Sequence, residues 1–461
     1  MIRHFRYFLF LSVLFLSVGI VSAQQTESIR GLHKVKKKET IFGISRMYDI
    51  TIDELINANP EMTDPNYELK KGTVIRIPYS ANQPAPANQT PTVSQPQAET
   101  ASVAKKSDRI KGAIRLGIML PLHNINGDGK RMVEYYRGVL MACDSVKKLG
   151  ISVDVHAWNA AEDCDIQQIL SDKAAAECDL IIGPLYSKQM EALSDFVSKH
   201  NIQLVIPFSI NAPQLTTNRH LFQIWQSPSD INASSVNRFV EQFRDFHPVF
   251  IDCNDSTSKK GNFTAAVRRQ LEQRGIIYSL TNLKSGEENF SKAFSRTQPN
   301  VVILNTARSA ELGVAFSKLN GLKATDPSLN ITMYGYTEWL TYTRTHLENF
   351  YKYNTYIPSV FHYNPLTAAT QRLQQKYRWN FHADMQNSLP RFAITGFDHA
   401  YFFLRGLQKY GRTFNGAKGM FEYTPVQTPL QFERYGNGGL RNKTMLFVHY
   451  SPDHRVETIR F

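Results

Sequence analysis

Asn124, Asn126, Asp128 and Gly129 stand at positions 1, 3, 5 and 6 of what would be a calcium-binding loop. The acid that should close such a loop is replaced by Tyr135, and Glu134 falls one residue early. The stretch is therefore read as a strand-to-helix turn, and no metal is expected. "GDGK" within it lacks the GxxxxGK[ST] spacing of a phosphate loop. Asp398 and His399 adjoin on an apolar stretch, a pairing suited to proton transfer. The chain has no GxSxG, no HExxH and no Cys-His constellation at a strand-to-helix junction. No motif singles out a pair of carboxylates for glycoside hydrolysis either. His399 is accordingly read as a packed or capping residue, and the chain as a non-enzyme without cofactor. The four cysteines, Cys143, Cys164, Cys178 and Cys253, show no CxxC pattern; their spacings do not choose among the disulfide pairings open to them.

What remains is binding chemistry, and the elements must place it. From Ile114 onward, apolar strand-like runs alternate with helical ones: "IRLGIML", "ISVDVHAW", "DLIIGPLYS" and "IQLVIPFS" with helices between, then "PVFIDC", "IIYSLTNL", "NVVILNT" and "ITMYGY" in a second series. Such a βαβ succession gives doubly wound, mostly parallel sheets. Two similar blocks imply two lobes with a cleft. Ser187 opens a helix after a strand, and Ser209 and Asn211 follow the next strand. In α/β sheets, ligands collect at these carboxyl ends.

The segments "DLIIGPLYSKQMEALSDFVSKHNIQLVIPFSINAPQLT", "LFQIWQSPSD" and "FAITGFDHAYFFLRGL" resemble the type I periplasmic binding proteins, in the branch of the branched-chain amino-acid (leucine-binding) receptors. The resemblance covers about 112–461. It implies three crossings between lobes, near 226–229, 354–360 and 412–425. Lobe 1 would hold about 112–225 and 360–411, and lobe 2 about 229–354 and 412–461. It also implies that Ser187, Ser209 and Asn211 hold a ligand carboxylate. Asn305, Tyr336 and Glu338 would face an ammonium from lobe 2, although the family's aromatic clamp after the second block's first strand is missing.

A smaller module precedes this one. "LHKVK" alternates like a strand. Thr40 is a candidate N-cap for a helix with Ile41, Ile44, Met47 and Tyr48 on one face; Thr51 opens a second helix with Asp53 and Glu54 in its first turn. Pro60 helps stop that helix, and "GTVIRIP" closes a strand–helix–helix–strand order. "HKV", "ETI", "ISRMYDIT", "LINANP" and "KKGTVIRIP" resemble a LysM domain across 32–79. The resemblance implies binding of N-acetylglucosamine-containing glycan, as in peptidoglycan, by Glu39, Thr40 and Ile41 on one side and Asn59, Pro60 and Glu61 on the other. Lys38 stands where the family has glycine.

Residues 1–23 have the layout of a secretory signal peptide: "MIRHFR" is basic, "YFLFLSVLFLSVGIV" apolar, and "VSA" small. Gln24 in place of a cysteine argues against a lipid anchor. Residues 80–107 contain no aromatic residue, Leu or Ile, and read as a disordered Pro/Gln/Ala-rich linker of roughly 30 Å as a coil. The net charge of +13 suits an anionic wall polymer. Export makes nucleic acid an unsuitable partner, and no later stretch is apolar enough to span a bilayer. The expectation is a periplasmic envelope protein that binds peptidoglycan and uses its two-lobed module for a small ligand or an envelope protein partner. The rivals are a solute receptor of an ABC transporter and a wall hydrolase.

Overall fold

The computed structural model describes residues 29–36, 39, 41–48, 50, 52–63, 69–78, 110, 112–208 and 211–461. The expected signal peptide at 1–23, the linker at 80–107, Lys38, Thr40 and Ser209 lie outside them. The chain divides into two units, one within 1–101 and one within 102–461.

In the first unit, β1 (Ile29–Lys34) is followed by α1 (Ile41–Met47), α2 (Ile52–Asn57), a 3-10 turn (Pro60–Thr63) and β2 (Val74–Pro78). β1 and β2 pair antiparallel, with Leu32 opposite Arg76. Val35, Ile44, Ile50, Leu55, Met62, Ile75 and Ile77 form its core. Ile75 and Ile77 alternate with the exposed Val74 and Arg76, the period-2 pattern of a half-buried strand.

The second unit runs through β3 (Ile114–Leu120), α3 (Gly127–Lys147), β4 (Val153–Asn159), α4 (Ile166–Leu170), α5 (Lys173–Glu177), β5 (Leu180–Ile182), α6 (Met190–His200), β6 (Gln203–Ile206) and β7 (Leu221–Gln223). It continues through α7 (Pro228–Gln242), β8 (His247–Asp252), α8 (Gly261–Gln273), β9 (Ser279–Asn282), α9 (Glu287–Ser291), β10 (Asn300–Leu304), α10 (Ser309–Thr325), β11 (Ile331–Tyr334), α11 (Thr343–Lys352) and β12 (Thr355–Ser359). The last elements are α12 (Ala368–Phe381), α13 (Phe392–Tyr410), β13 (Phe432–Arg434), β14 (Leu440–Asn442), β15 (Leu446–Ser451) and β16 (Arg455–Arg460).

Two seven-stranded sheets result, ordered β13-β14-β7-β6-β5-β3-β4 and β16-β15-β12-β11-β10-β8-β9. Each has the same parallel heart, in which the second strand in sequence lies outside the first and the next three follow on the other side. β3 shows why the sequence permits this. Ile114, Leu116, Ile118 and Leu120 pack into one core and Met119 into another, so the strand reads as a continuous apolar run buried on both faces. The expected α/β class with two lobes is what the chain forms.

Several boundaries differ from expectation. "DIQQILSDKAAAE" is two short helices, because Asp172 ends one and caps the next, accepting from the Ala174 N–H at 2.9 Å. β12 belongs to the second sheet, pairing with β11 and β15, so the second crossing follows Ser359 rather than lying at 354–360. The third crossing is at 443–445, not 412–425, and lobe 1 keeps the chain through β14. Phe414 and Phe432 pack with Phe222 and Phe403. Gln203 donates to the carbonyls of Arg412 and Phe414, both at 3.0 Å, and β14 pairs parallel with β7. The half calcium loop is a helix start, where Asn126 caps α3 by accepting from the Gly129 N–H at 2.9 Å. The four cysteines form no disulfide.

Candidate functional site

In the small module, Glu39 and Asn59 prove to be internal clamps. Glu39 Oε2 accepts the Lys36 N–H at 2.7 Å and lies 2.8 Å from His33 Nε2, while His33 Nδ1 is 2.8 Å from the Tyr48 hydroxyl. The Lys36 N–H, and then His33, hold the Glu39 carboxyl below the usual carboxylate range. Asn59 is fully buried. Its Nδ2 donates to the Leu55 carbonyl at 2.8 Å and the Arg76 carbonyl at 2.7 Å, and its Oδ1 accepts the Arg76 N–H at 2.6 Å. Asn59 was expected among the glycan-binding residues; its side-chain amide fastens the end of α2 to β2. Pro60 and Glu61, which follow it, are exposed, and Ile41 is half-buried at the start of α1.

In the large module, a cavity of about 460 Å³ lies between the lobes. Phe208, Trp225, Leu389 and Pro390 line it from lobe 1, Ile231, Thr337 and Glu338 from lobe 2, and Gln226 and Phe361 from the crossings. Most of its wall is apolar. Neither Ser187 nor Asn211 lines it. Ser187 begins a 3-10 turn ahead of α6, and Asn211 is exposed.

The lobe 2 candidates separate as well. Asn305 ties two strand ends together: its Nδ2 donates to Asp252 at 2.8 Å and its Oδ1 accepts the Cys253 N–H at 2.8 Å. It lines another cavity with Asp252, Arg268 and Asn282. Tyr336 is buried and donates its hydroxyl to the Leu304 carbonyl at 2.5 Å. Tyr336 and Glu338 do meet a cation, but it is the protein's own. Lys260 Nζ lies 2.8 Å from Glu338 and 4.7 Å from the centre of the Tyr336 ring. The place expected to receive a ligand ammonium is filled by Lys260. Of the five cleft candidates among the described residues, only Glu338 lines the interlobe cavity.

Sequence reasoning passed over the residues that give this cavity its polarity. α3 and α13 cross at two glycines, where a Cβ on Gly138 would lie 1.8 Å from the Ala393 carbonyl oxygen and one on Gly396 2.0 Å from that of Tyr135. No other residue permits this approach. It brings the Tyr135 hydroxyl to 2.9 Å from His399 Nδ1. Burial pushes the His399 imidazole down to about 3, so it is neutral. Its Nε2 has no hydrogen-bond partner, and the residue lines the cavity. The neighbouring Asp398 accepts three backbone N–H groups, from Val426 at 2.8 Å, Gln427 at 2.7 Å and Thr428 at 2.8 Å. Burial raises its pKa to about 6, against the pull of those donors. Asp398 thus seats Thr428 on the cavity wall. The sequence signal was present, since an Asp-His pair on an otherwise apolar helix must be buried among partners. Periodicity could not say which partners.

Among the described residues, no cluster of His, Cys, Asp and Glu could hold a metal ion, and no helix is long and apolar enough to cross a membrane.

Comparison with known proteins divides at the same boundary. Residues 33–78 match the LysM domain family. No curated protein matches the chain. A solved structure of a branched-chain amino acid ABC transporter protein from Rhodospirillum rubrum is 17% identical, with a TM-score of 0.50, covering 75% of this chain and 100% of that one. LpoA from Haemophilus influenzae is 15% identical with a TM-score of 0.48, covering 76% of this chain and 59% of that one. At such identities the likeness is one of fold. Residues 33–78 are a LysM domain, and the large module has the two-lobed fold of the type I periplasmic binding proteins.

Proposed function

We propose that this is an exported, non-enzymatic envelope protein. Its LysM domain holds N-acetylglucosamine-containing glycan of peptidoglycan, and its two-lobed module captures a small ligand between the lobes. The LysM match over 33–78 carries the first half of this reading. The glycan face is formed by Ile41 and the exposed Pro60 and Glu61, together with Thr40, which precedes Ile41 in the sequence. Glu39 and Asn59 shape the backbone on either side. Glycan recognition needs an apolar wall for the sugar face and polar groups for its hydroxyl and acetamido substituents. The interlobe cavity, apolar with a few polar atoms, supports the second half. Tethering would hold that module near the wall and raise its local concentration there.

Titration with N-acetylglucosamine oligomers tests the glycan reading. Saturable binding that weakens in Glu61→Ala is expected; no binding at any oligomer length would remove glycan from the account. A receptor for a zwitterionic amino acid is the second reading, favoured by the fold. The Lys260–Glu338 pair speaks against it, because it fills the place an ammonium would take.

A further inference from the structure

Three buried polar atoms without hydrogen-bond partners among the described residues line the interlobe cavity: His399 Nε2, Thr428 Oγ1 and Gln226 Oε1. The three residues are 1%, 9% and 6% exposed. A buried polar atom left unpaired is costly, and native proteins carry few of them. Three on one wall call for a common partner.

Their chemistry can be assigned. The Tyr135 hydroxyl has His399 Nδ1 as its hydrogen-bond partner. Leaving the phenolic proton unbonded in the core costs more than leaving a lone pair, so Tyr135 donates and Nδ1 accepts. The neutral His399 then carries its proton on Nε2, which becomes a donor towards the cavity. The Thr428 hydroxyl can donate or accept, and its backbone N–H is already given to Asp398. Gln226 Nε2 donates to the Thr444 carbonyl at 2.8 Å, which fixes the amide and leaves Oε1 as an acceptor. These three groups therefore offer a donor at His399 Nε2, an acceptor at Gln226 Oε1, and a hydroxyl at Thr428 that can serve as either. No Lys or Arg is among the cavity's described lining residues, and its one acid, Glu338, is paired with Lys260. A carboxylate would find no counter-ion there, and an ammonium would compete with Lys260 for Glu338.

Resting on the small-ligand reading of this module, we infer that the interlobe cavity takes an uncharged, amide-bearing molecule with an apolar body. The amide carbonyl accepts from both His399 and Thr428, its N–H donates to Gln226, and the body lies against Phe208, Trp225 and Phe361. This is the chemistry of a blocked peptide unit rather than a free amino acid.

Calorimetric titration of the chain with N-acetyl-phenylalaninamide and N-acetyl-leucinamide, beside free phenylalanine and leucine, tests this. The blocked amides should bind saturably and the free amino acids should not. Thr428→Val should weaken amide binding roughly tenfold. Its melting temperature should hold or rise, because the hydroxyl it removes has no partner in the fold. Binding of the free amino acids but not the amides would overturn the ligand class and leave the small-ligand reading standing. Amide binding unchanged in Thr428→Val would overturn the assigned polar contact. Binding of neither set would mean that water satisfies the three atoms, and would overturn the inference.

Discussion

The side chain of Asn59 pairs with the backbone of Arg76 as a second peptide group would, giving its N–H to the carbonyl at 2.7 Å and taking the Arg76 N–H at 2.6 Å. A third bond, to the Leu55 carbonyl, holds the same amide to the end of α2. Asn59→Ala takes the side-chain partner from three backbone groups, one buried and two partly buried, and should destabilise the LysM domain by about 2 kcal/mol. Glu61→Ala, on the exposed turn beside it, should leave the melting transition within about 0.5 kcal/mol. Calorimetric melting of both variants separates the structural role from the surface one.

Asp398 does for the large module what Asn59 does for the small one. Asparagine there keeps the shape but turns an N–H₂ towards backbone donors. Asp398→Asn should cost about 2–4 kcal/mol, since at least one of the Val426, Gln427 and Thr428 N–H groups loses its acceptor. Urea unfolding measures this, and an unchanged midpoint would contradict the assigned network.

Arg412 and Asp179 form an ion pair whose side chains are 7% and 3% exposed. Asp179 also accepts the Arg115 N–H at 2.9 Å, and Arg412 Nε donates to the Asn201 carbonyl at 3.2 Å. Removing Arg412 leaves the buried Asp179 carboxylate only the Arg115 N–H and the Arg115 side chain, whose Nε is 4.0 Å away. Arg412→Met should destabilise lobe 1 by about 3–5 kcal/mol. Were 412–425 an exposed crossing instead, the same substitution would change stability by less than about 1 kcal/mol.

The Glu39 carboxyl is held below the usual carboxylate range by the Lys36 N–H and His33. A lowered folded value means that the unfolded chain binds the proton first as pH falls. The stabilisation is thus present above the ordinary carboxylate range and lost as pH drops through the folded value. The LysM transition should melt lower at pH 3 than at pH 6, and Glu39→Gln should reduce that difference. Scanning calorimetry at the two pH values checks both.

The alternation of strands and helices in the large module was legible because its parallel strands are buried on both faces and read as unbroken apolar runs. The LysM order was legible from the helical spacing of Ile41 and Ile44 and from its closing strand. The third crossing was not. β13 and β14 are only three residues each, and what fixes Phe414 and Phe432 in lobe 1 is Phe222, far away in sequence. Asn59 misled for a different reason. An asparagine at a helix end looks the same whether its amide meets a sugar or a neighbouring strand. His399 reads from the sequence only as a packed or capping residue, because its partner Tyr135 is 264 residues away and reaches it through the Gly138–Gly396 crossing. Serines after parallel strands point to the general ligand-binding end of such sheets, whereas the unpaired polar atoms of the described cavity wall come from α13, the segment after it that holds Thr428, and the first crossing.

The central claim is that the LysM domain ties this protein to the cell wall. Co-sedimentation with purified peptidoglycan, at a salt concentration high enough to screen the net charge of +13, tests it most directly. The chain should pellet with the polymer, and a chain beginning at residue 80 should stay in solution. Equal pelleting of the two, or loss of both as salt rises, would contradict the claim.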